Sequence, residues 1–238
     1  MIRSVLKKLI YREKSDSATY VKHLRKLGVQ IGDDVTVYDP FRTEVDVTCP
    51  WLLRIGNHVR ITRGVTILTH DYSWSVLKNA PDTCGSIFGA QSPVTIGNNV
   101  FIGMNAIITR GVTIGDNVII GAGSVVTKDC ESDSVYGGNP ARKIMTLTEY
   151  YEKRKKLQFS EAREIARRYR ATFDGNPPKE VFFEYFMLFC TAQEAENVPC
   201  FKRQMALGTG MENSVRYLSG HGPMFESYDA FLAACFEE

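Results

Sequence analysis

The chain has 238 residues, 44% of them hydrophobic and 24% charged, with a formal net charge of +2. That is the composition of one large globular domain, or one domain with an appendage, and it excludes a global electrostatic grip on nucleic acid. No run approaches the roughly 18–20 apolar residues of a membrane span.

In chain order, the apolar stretch within residues 1–14 is short and broken by Lys7 and Lys8, so no signal peptide is expected and a cytoplasmic location is. Residues 1–30 read as a helical cap: Ser17 can serve as N-cap, Tyr20, Val21, Leu24 and Leu27 recur at helical spacing, and Gly28 stops the helix. Such a helix would cover an exposed end of stacked strands.

A repeat of six then begins. Aliphatic residues return at Ile31, Val37, Ile55, Ile61 and Ile67, with Thr43 and Cys49 as imperfect members, and again at Ile96, Ile102, Ile108, Ile114, Ile120 and Val126. Glycine often follows the leading aliphatic, at 32, 56, 97, 103, 115 and 121. Neither a helix, with its period near 3.6, nor an alternating strand explains this. A period of six is that of a β-solenoid face, in which a short strand is followed by a Gly, Asn or Asp that turns the chain through positive φ. Three faces make a coil of eighteen, so slightly more than four stacked coils are predicted.

The register breaks after Ile67, because Ile96 follows 29 residues later. Residues 71–93 therefore form a loop thrown out from the coils, and a long loop inside a compact repeat is usually functional. His70 stands at its base, where an imidazole can take a proton near neutral pH. His23, His58 and His221 have no comparable setting and read as surface residues. The histidines lack metal-ligand spacing, so no metal is expected. Six cysteines, at 49, 84, 130, 190, 200 and 235, form neither a CxxC pair nor a disulfide framework.

The run IGNNVFIGMNAIITRGVTIGDNVIIGAGSVVTKD, followed by GGNPARKI, resembles the hexapeptide-repeat acyltransferases. The likeness is to the O-acetyltransferase branch that includes galactoside, maltose and virginiamycin acetyltransferases, and it covers roughly residues 28–145. It implies a left-handed parallel β-helix over 31–145, a homotrimer with active sites between subunits, and acetyl-CoA in those clefts. It also implies that His70 is the general base, that Met104, Gly121 and Ala122 line the pantetheine arm, and that Thr127 and Lys128 lie beside the adenine end. Arg142 falls where a cation sits near the CoA phosphates. The segment THDYSW resembles acyltransferases of surface polysaccharide synthesis, which makes Asp71 and Trp74 candidates for substrate contact.

From Thr146 the hexads vanish and residues 146–238 read as an α-helical extension. Thr146 and Glu149 form a capping box. Residues 151–170 hold eight Lys or Arg against three Glu, read first as a solvated helix face, with an anionic ligand or membrane phospholipid as the alternative. Pro177-Pro178 opens a very apolar helix over 179–189. The expected function is acetyl transfer from acetyl-CoA to a hydroxyl of a sugar or glycan precursor. A non-catalytic β-helix scaffold, or acetylation of an amino sugar or xenobiotic, stands as the alternative.

Overall fold

The structure, a computed structural model, describes residues 12–237; most of the stretch weighed above as a signal peptide lies outside the described residues. Two compact units meet at Tyr150 and Tyr151.

The first unit opens with α1 (Ser17–Leu27), which ends at Gly28 with φ +113°. Its N-cap is Asp16 and not Ser17: the Asp16 carboxylate accepts from the Thr19 amide at 2.8 Å. The Ser17 hydroxyl is turned instead to the backbone amide of Val37, 2.9 Å away. Tyr20, Val21 and Leu24 are buried in the same core as the strands, while Leu27 is exposed.

Three parallel sheets follow. The first stacks β1 (Gln30–Ile31), β4 (Leu53–Ile55), β9 (Val94–Ile96) and β12 (Thr113–Ile114). The second stacks β2 (Thr36–Val37), β5 (Arg60–Ile61), β10 (Phe101–Ile102), β13 (Val118–Ile120) and β15 (Ser134–Gly137), and β16 (Arg142–Thr146) closes it antiparallel to β15. The third stacks β3 (Glu44–Val45), β6 (Thr66–Ile67), β11 (Ile107–Ile108) and β14 (Val125–Val126). Leading aliphatics pair in register, Ile31 with Ile55, Ile55 with Ile96 and Ile96 with Ile114, so each column of side chains is continuous through the core. Ile61, Ile67, Ile96, Ile102, Ile108, Ile114 and Ile120 are all nearly fully buried. At about 1.5–3 kcal/mol for each such side chain, stacking is the main source of stability.

One sequence expectation changes here. Thr43 and Cys49 do not carry the register. The inward partner of Ile67 is Val45, because short 3₁₀ turns at Pro40–Arg42 and Pro50–Leu52 lengthen the first coil. The added residues total six, so the spacing from Val37 to Ile55 stayed a multiple of six by coincidence. Positive φ is found at turn residues and not at the glycines directly after the leading aliphatics. That conformation is held by Asp34, His58, Asn99, Asn105, Asn117 and Asp133, polar side chains that tolerate it, and by Gly64, Gly111 and Gly123, as the Gly, Asn or Asp turns of the repeat require. Gly103 is required for space: a Cβ there would lie 2.5 Å from the Ala122 amide nitrogen of the next coil. A polar ladder holds one corner, with Asn57, Asn98, Asp116 and Ser132 each accepting from a backbone amide of the preceding coil at 2.6–3.0 Å.

Helix α2 (Leu147–Phe173) starts with the predicted capping box: Thr146 Oγ1 accepts from the Glu149 amide at 3.2 Å, and the Glu149 carboxylate accepts from the Thr146 amide at 2.7 Å. The second unit continues through α3 (Ala192–Glu196), α4 (Pro199–Met205), α5 (Met211–Gly220) and α6 (Tyr228–Phe236). Its core is aromatic, with Phe182, Phe201 and Phe231 fully buried around Ala162 and Ala166. The apolar segment 179–189 is not one helix but two 3₁₀ turns, Lys179–Phe182 and Phe186–Leu188. Leu188, Phe189 and Cys190 are all buried, and three consecutive inward residues cannot share one helix face. Nor is the basic run simply solvated: Arg154 is bidentate on Glu161, Arg167 donates to the Cys235 and Glu237 carbonyls, and Arg170 lies over the Phe236 ring.

Candidate active site

His70 lies on a two-stranded antiparallel ribbon at the root of the excursion, formed by β7 (His70–Asp71) and β8 (Ala90–Gln91). The Ser92 amide returns to the Thr69 carbonyl at 3.0 Å and closes the base of the loop. The imidazole is therefore tied to the rigid coils and not to a free loop.

Its decisive partner is Asp46. Because Val45 pairs with Ile67, Asp46 follows β3 at the corner where the chain leaves β6 toward His70. His70 Nδ1 and Asp46 Oδ2 are 2.6 Å apart. The same oxygen accepts from the Thr69 hydroxyl at 2.6 Å and the Thr69 amide at 2.9 Å, while Oδ1 accepts from the Thr48 amide at 2.9 Å. The Asp46 side chain is 4% exposed and that of His70 32%. Burial alone would raise the Asp46 carboxyl; the bonds from Thr69, His70 and Thr48 outweigh it and hold the group well below the ordinary carboxylate range. An ionised carboxylate at Nδ1 keeps the proton on that nitrogen, so Nε2 carries the free lone pair.

A cavity of about 510 Å³ opens at this corner, lined by His70, Asp71, Tyr72, Thr109, Arg110 and Thr127, with Leu68 behind them. Asp71 Oδ1 accepts from the Ser73 amide at 2.7 Å, and its other oxygen faces the Arg110 guanidinium at 3.9 Å. These hydrogen bonds with Ser73, with Arg110 nearby, pull the exposed carboxyl below its ordinary value. Trp74 does not line the cavity. It supports the exposed Tyr72 ring, with centroids 4.8 Å apart.

The structure divides the remaining predicted residues. Thr127 shares the His70 cavity, and Lys128 follows it, exposed. Met104, Gly121 and Ala122 lie at a different corner, between the second and third sheets; there the Gly123 amide donates to the Met104 carbonyl at 2.7 Å. Arg142 begins β16 and is exposed. Asp46, Tyr72, Thr109 and Arg110 are additions. Asp46 stood in the irregular first coil, where the hexads give no register. Arg110 stood inside ITRGVTIG, so its place after a leading isoleucine could have marked it as a corner residue. His58, read as a solvated surface residue, bonds Asp34 at 2.8 Å.

Fold and site together define a hexapeptide-coil protein with a buried carboxylate aligning a histidine at a corner cavity. The family described as hexapeptide repeat of succinyl-transferase matches residues 93–128. Protein CapG of Staphylococcus aureus is 47% identical over 148 residues, covering 58% of this chain and 81% of that protein. A maltose O-acetyltransferase from Clostridium difficile 630 is 32% identical, covering 60% of this chain and 81% of that one, with a TM-score of 0.40. A galactoside acetyltransferase in complex with coenzyme A is also 32% identical, covering 50% and 56%, with a TM-score of 0.37. The chain belongs to the hexapeptide-repeat acyltransferase family.

Proposed function

We propose that the protein transfers an acetyl group from acetyl-CoA to a hydroxyl of a sugar or glycan precursor, with His70 as general base. The 2.6 Å contact of His70 with the buried Asp46 carboxylate carries this reading. Nε2 takes the proton of the acceptor hydroxyl, and the oxygen attacks the thioester carbonyl carbon. Asp46 compensates the positive charge that forms on the ring. As the tetrahedral intermediate collapses, the C–S bond breaks and the imidazolium returns its proton to the departing sulfur, leaving ester and free CoA thiol.

The residues suit these substrates. The exposed Ala122 and Gly123, beside the half-buried Gly121, leave a corner open to a thin pantetheine arm, and a Cβ added at Gly123 would meet nothing within 4 Å. Thr127, Lys128 and Arg142 supply polar and cationic contacts for the nucleotide end. Tyr72, supported by Trp74, offers a ring face to a pyranose, and Asp71 a hydrogen-bond acceptor for its hydroxyls. Since the Met104–Ala122 corner and the His70 cavity lie at opposite ends of the third sheet's strands, one chain does not present both to one thioester. A homotrimer of left-handed β-helices, in which a second copy's pantetheine corner faces His70, belongs to the same proposal.

The test is His70→Ala assayed by thiol release from acetyl-CoA across a panel of saccharide acceptors. Turnover should fall about 10²–10⁴-fold while acetyl-CoA affinity changes little. Turnover within threefold of the parent would refute the assignment. Transfer to amines but to no hydroxyl would move the acceptor class and leave the base in place.

A further inference from the structure

The second unit holds a cavity of about 400 Å³ that acetyl transfer does not use, and part of the cationic run of α2 opens onto it. Its apolar side is built by Met187, Leu188, Leu218 and Met224. Methionines adapt to a flexible chain because their unbranched thioethers repack readily. Its polar side carries Tyr151, Lys155 and Tyr217.

The polar groups are arranged as donors. Tyr151 and Tyr217 hydroxyl oxygens lie 3.2 Å apart; one O–H is used between them and the other is left to donate. The Tyr217 ring is fixed by the parallel His221 ring at 4.2 Å, and His221 Nδ1 lies 3.0 Å from the Tyr217 carbonyl oxygen. Lys155 Nζ stands 6.0 Å from the Tyr151 ring centroid and has no ion pair among the described residues. Arg154 beside it is committed to Glu161. A ligand meets one free ammonium and a hydroxyl donor on one side and a surface of thioethers and leucines on the other.

We propose that this cavity seats a phosphate monoester of an apolar chain, with the phosphate at Lys155 and the tyrosine pair and the chain on Met187, Leu218 and Met224. A phosphate brings three acceptor oxygens to those donors, and the apolar side favours a ligand that also carries hydrocarbon. At about 30 Å³ for each water-sized group, the cavity takes roughly a dozen heavy atoms, the size of an eight-carbon chain with its phosphate. None of the residues lining this cavity is assigned to acetyl transfer, so the two readings fail independently.

The experiment is calorimetry on the full chain with octyl phosphate below its micelle concentration, against octanol, inorganic phosphate and phosphatidic acid vesicles. Octyl phosphate should saturate one site per chain, with octanol and inorganic phosphate at least about tenfold weaker. Lys155→Glu and Met224→Glu, both at exposed positions, should each weaken octyl phosphate about five- to tenfold without altering the circular dichroism spectrum. Absence of saturable octyl phosphate binding, or equal binding by both variants, overturns the proposal. So does binding to the vesicles with none to the monomeric ligand, which assigns the basic run of α2 to a membrane surface.

Discussion

Replacing Asp46 by Asn keeps the shape of the side chain and removes its charge. Four donors converge on the carboxylate: the Thr48 and Thr69 amides, the Thr69 hydroxyl and His70 Nδ1. An amide offers one oxygen. Placed at Oδ2 it keeps three of the four, and its NH₂ then faces the Thr48 N–H. The Thr48 amide lies at an exposed position where water can replace the lost bond, so the cost in stability is small, about 0.5–1.5 kcal/mol. The catalytic loss is separate. When Nε2 takes the acceptor proton, the imidazolium loses an anion that stood 2.6 Å from Nδ1. At an effective dielectric constant near 20, such a pair is worth about 4 kcal/mol, roughly 10³-fold at about 1.4 kcal/mol per decade. Since His70 is partly open to solvent, which screens the pair, we expect kcat to fall about 10²–10³-fold with the acetyl-CoA dissociation constant nearly unchanged. Kinetics by thiol release, with a melting curve on the same preparation, separate the two losses. A variant that melts lower yet keeps kcat within threefold would show that Asp46 supports the corner and not the base. Acid titration adds a check. The folded carboxyl titrates below its ordinary 3.8, so its stabilisation is present above that value and is lost as pH falls below 3.8 toward the folded value. The Asn variant has none of it to lose, and its acid unfolding curve should be correspondingly flatter.

Replacing Lys128 and Arg142 together should weaken acetyl-CoA binding and reduce its salt dependence; calorimetry with acetyl-CoA and dephospho-CoA measures this, and unchanged affinity for both means the phosphates lie elsewhere. Gly103→Ala places a Cβ 2.5 Å from the Ala122 nitrogen and should cost about 1–3 kcal/mol, seen as a drop of several degrees in melting temperature; an unchanged midpoint would mean the coils can separate without penalty. A chain ending at Tyr150 retains the whole β-helix core and should unfold cooperatively and bind acetyl-CoA, which scanning calorimetry and ligand titration would establish or disprove.

Much of the catalytic unit was legible because a coil repeats its environment every six residues. Each leading aliphatic faces the same interior, so periodicity alone located the strands of the regular coils and, by its failure after Ile67, the excursion that begins at His70. The first coil was not legible. Two 3₁₀ turns added six residues between Val37 and Ile55, a number that leaves the period intact while shifting the inward position from Thr43 to Val45. Asp46 was hidden by the same shift, since its role depends on which residue of the next coil it stacks beside. The turns were legible too, since positive φ fell to Asn, Asp and Gly, with His58 added; the glycines directly after the leading aliphatics instead mark close approach of neighbouring coils, a distance that local sequence does not carry. In the second unit, apolar residues at 179–189 announced burial but not conformation. Neighbouring aromatics seat Phe182, Phe186 and Phe189 in one core, and tertiary packing broke the segment into two turns. The sequence by itself determined the repeat and the histidine at the root of the excursion; only the tertiary structure decided which carboxylate stands against it, because the lengthened first coil brings Asp46 beside a residue 24 positions further along the chain.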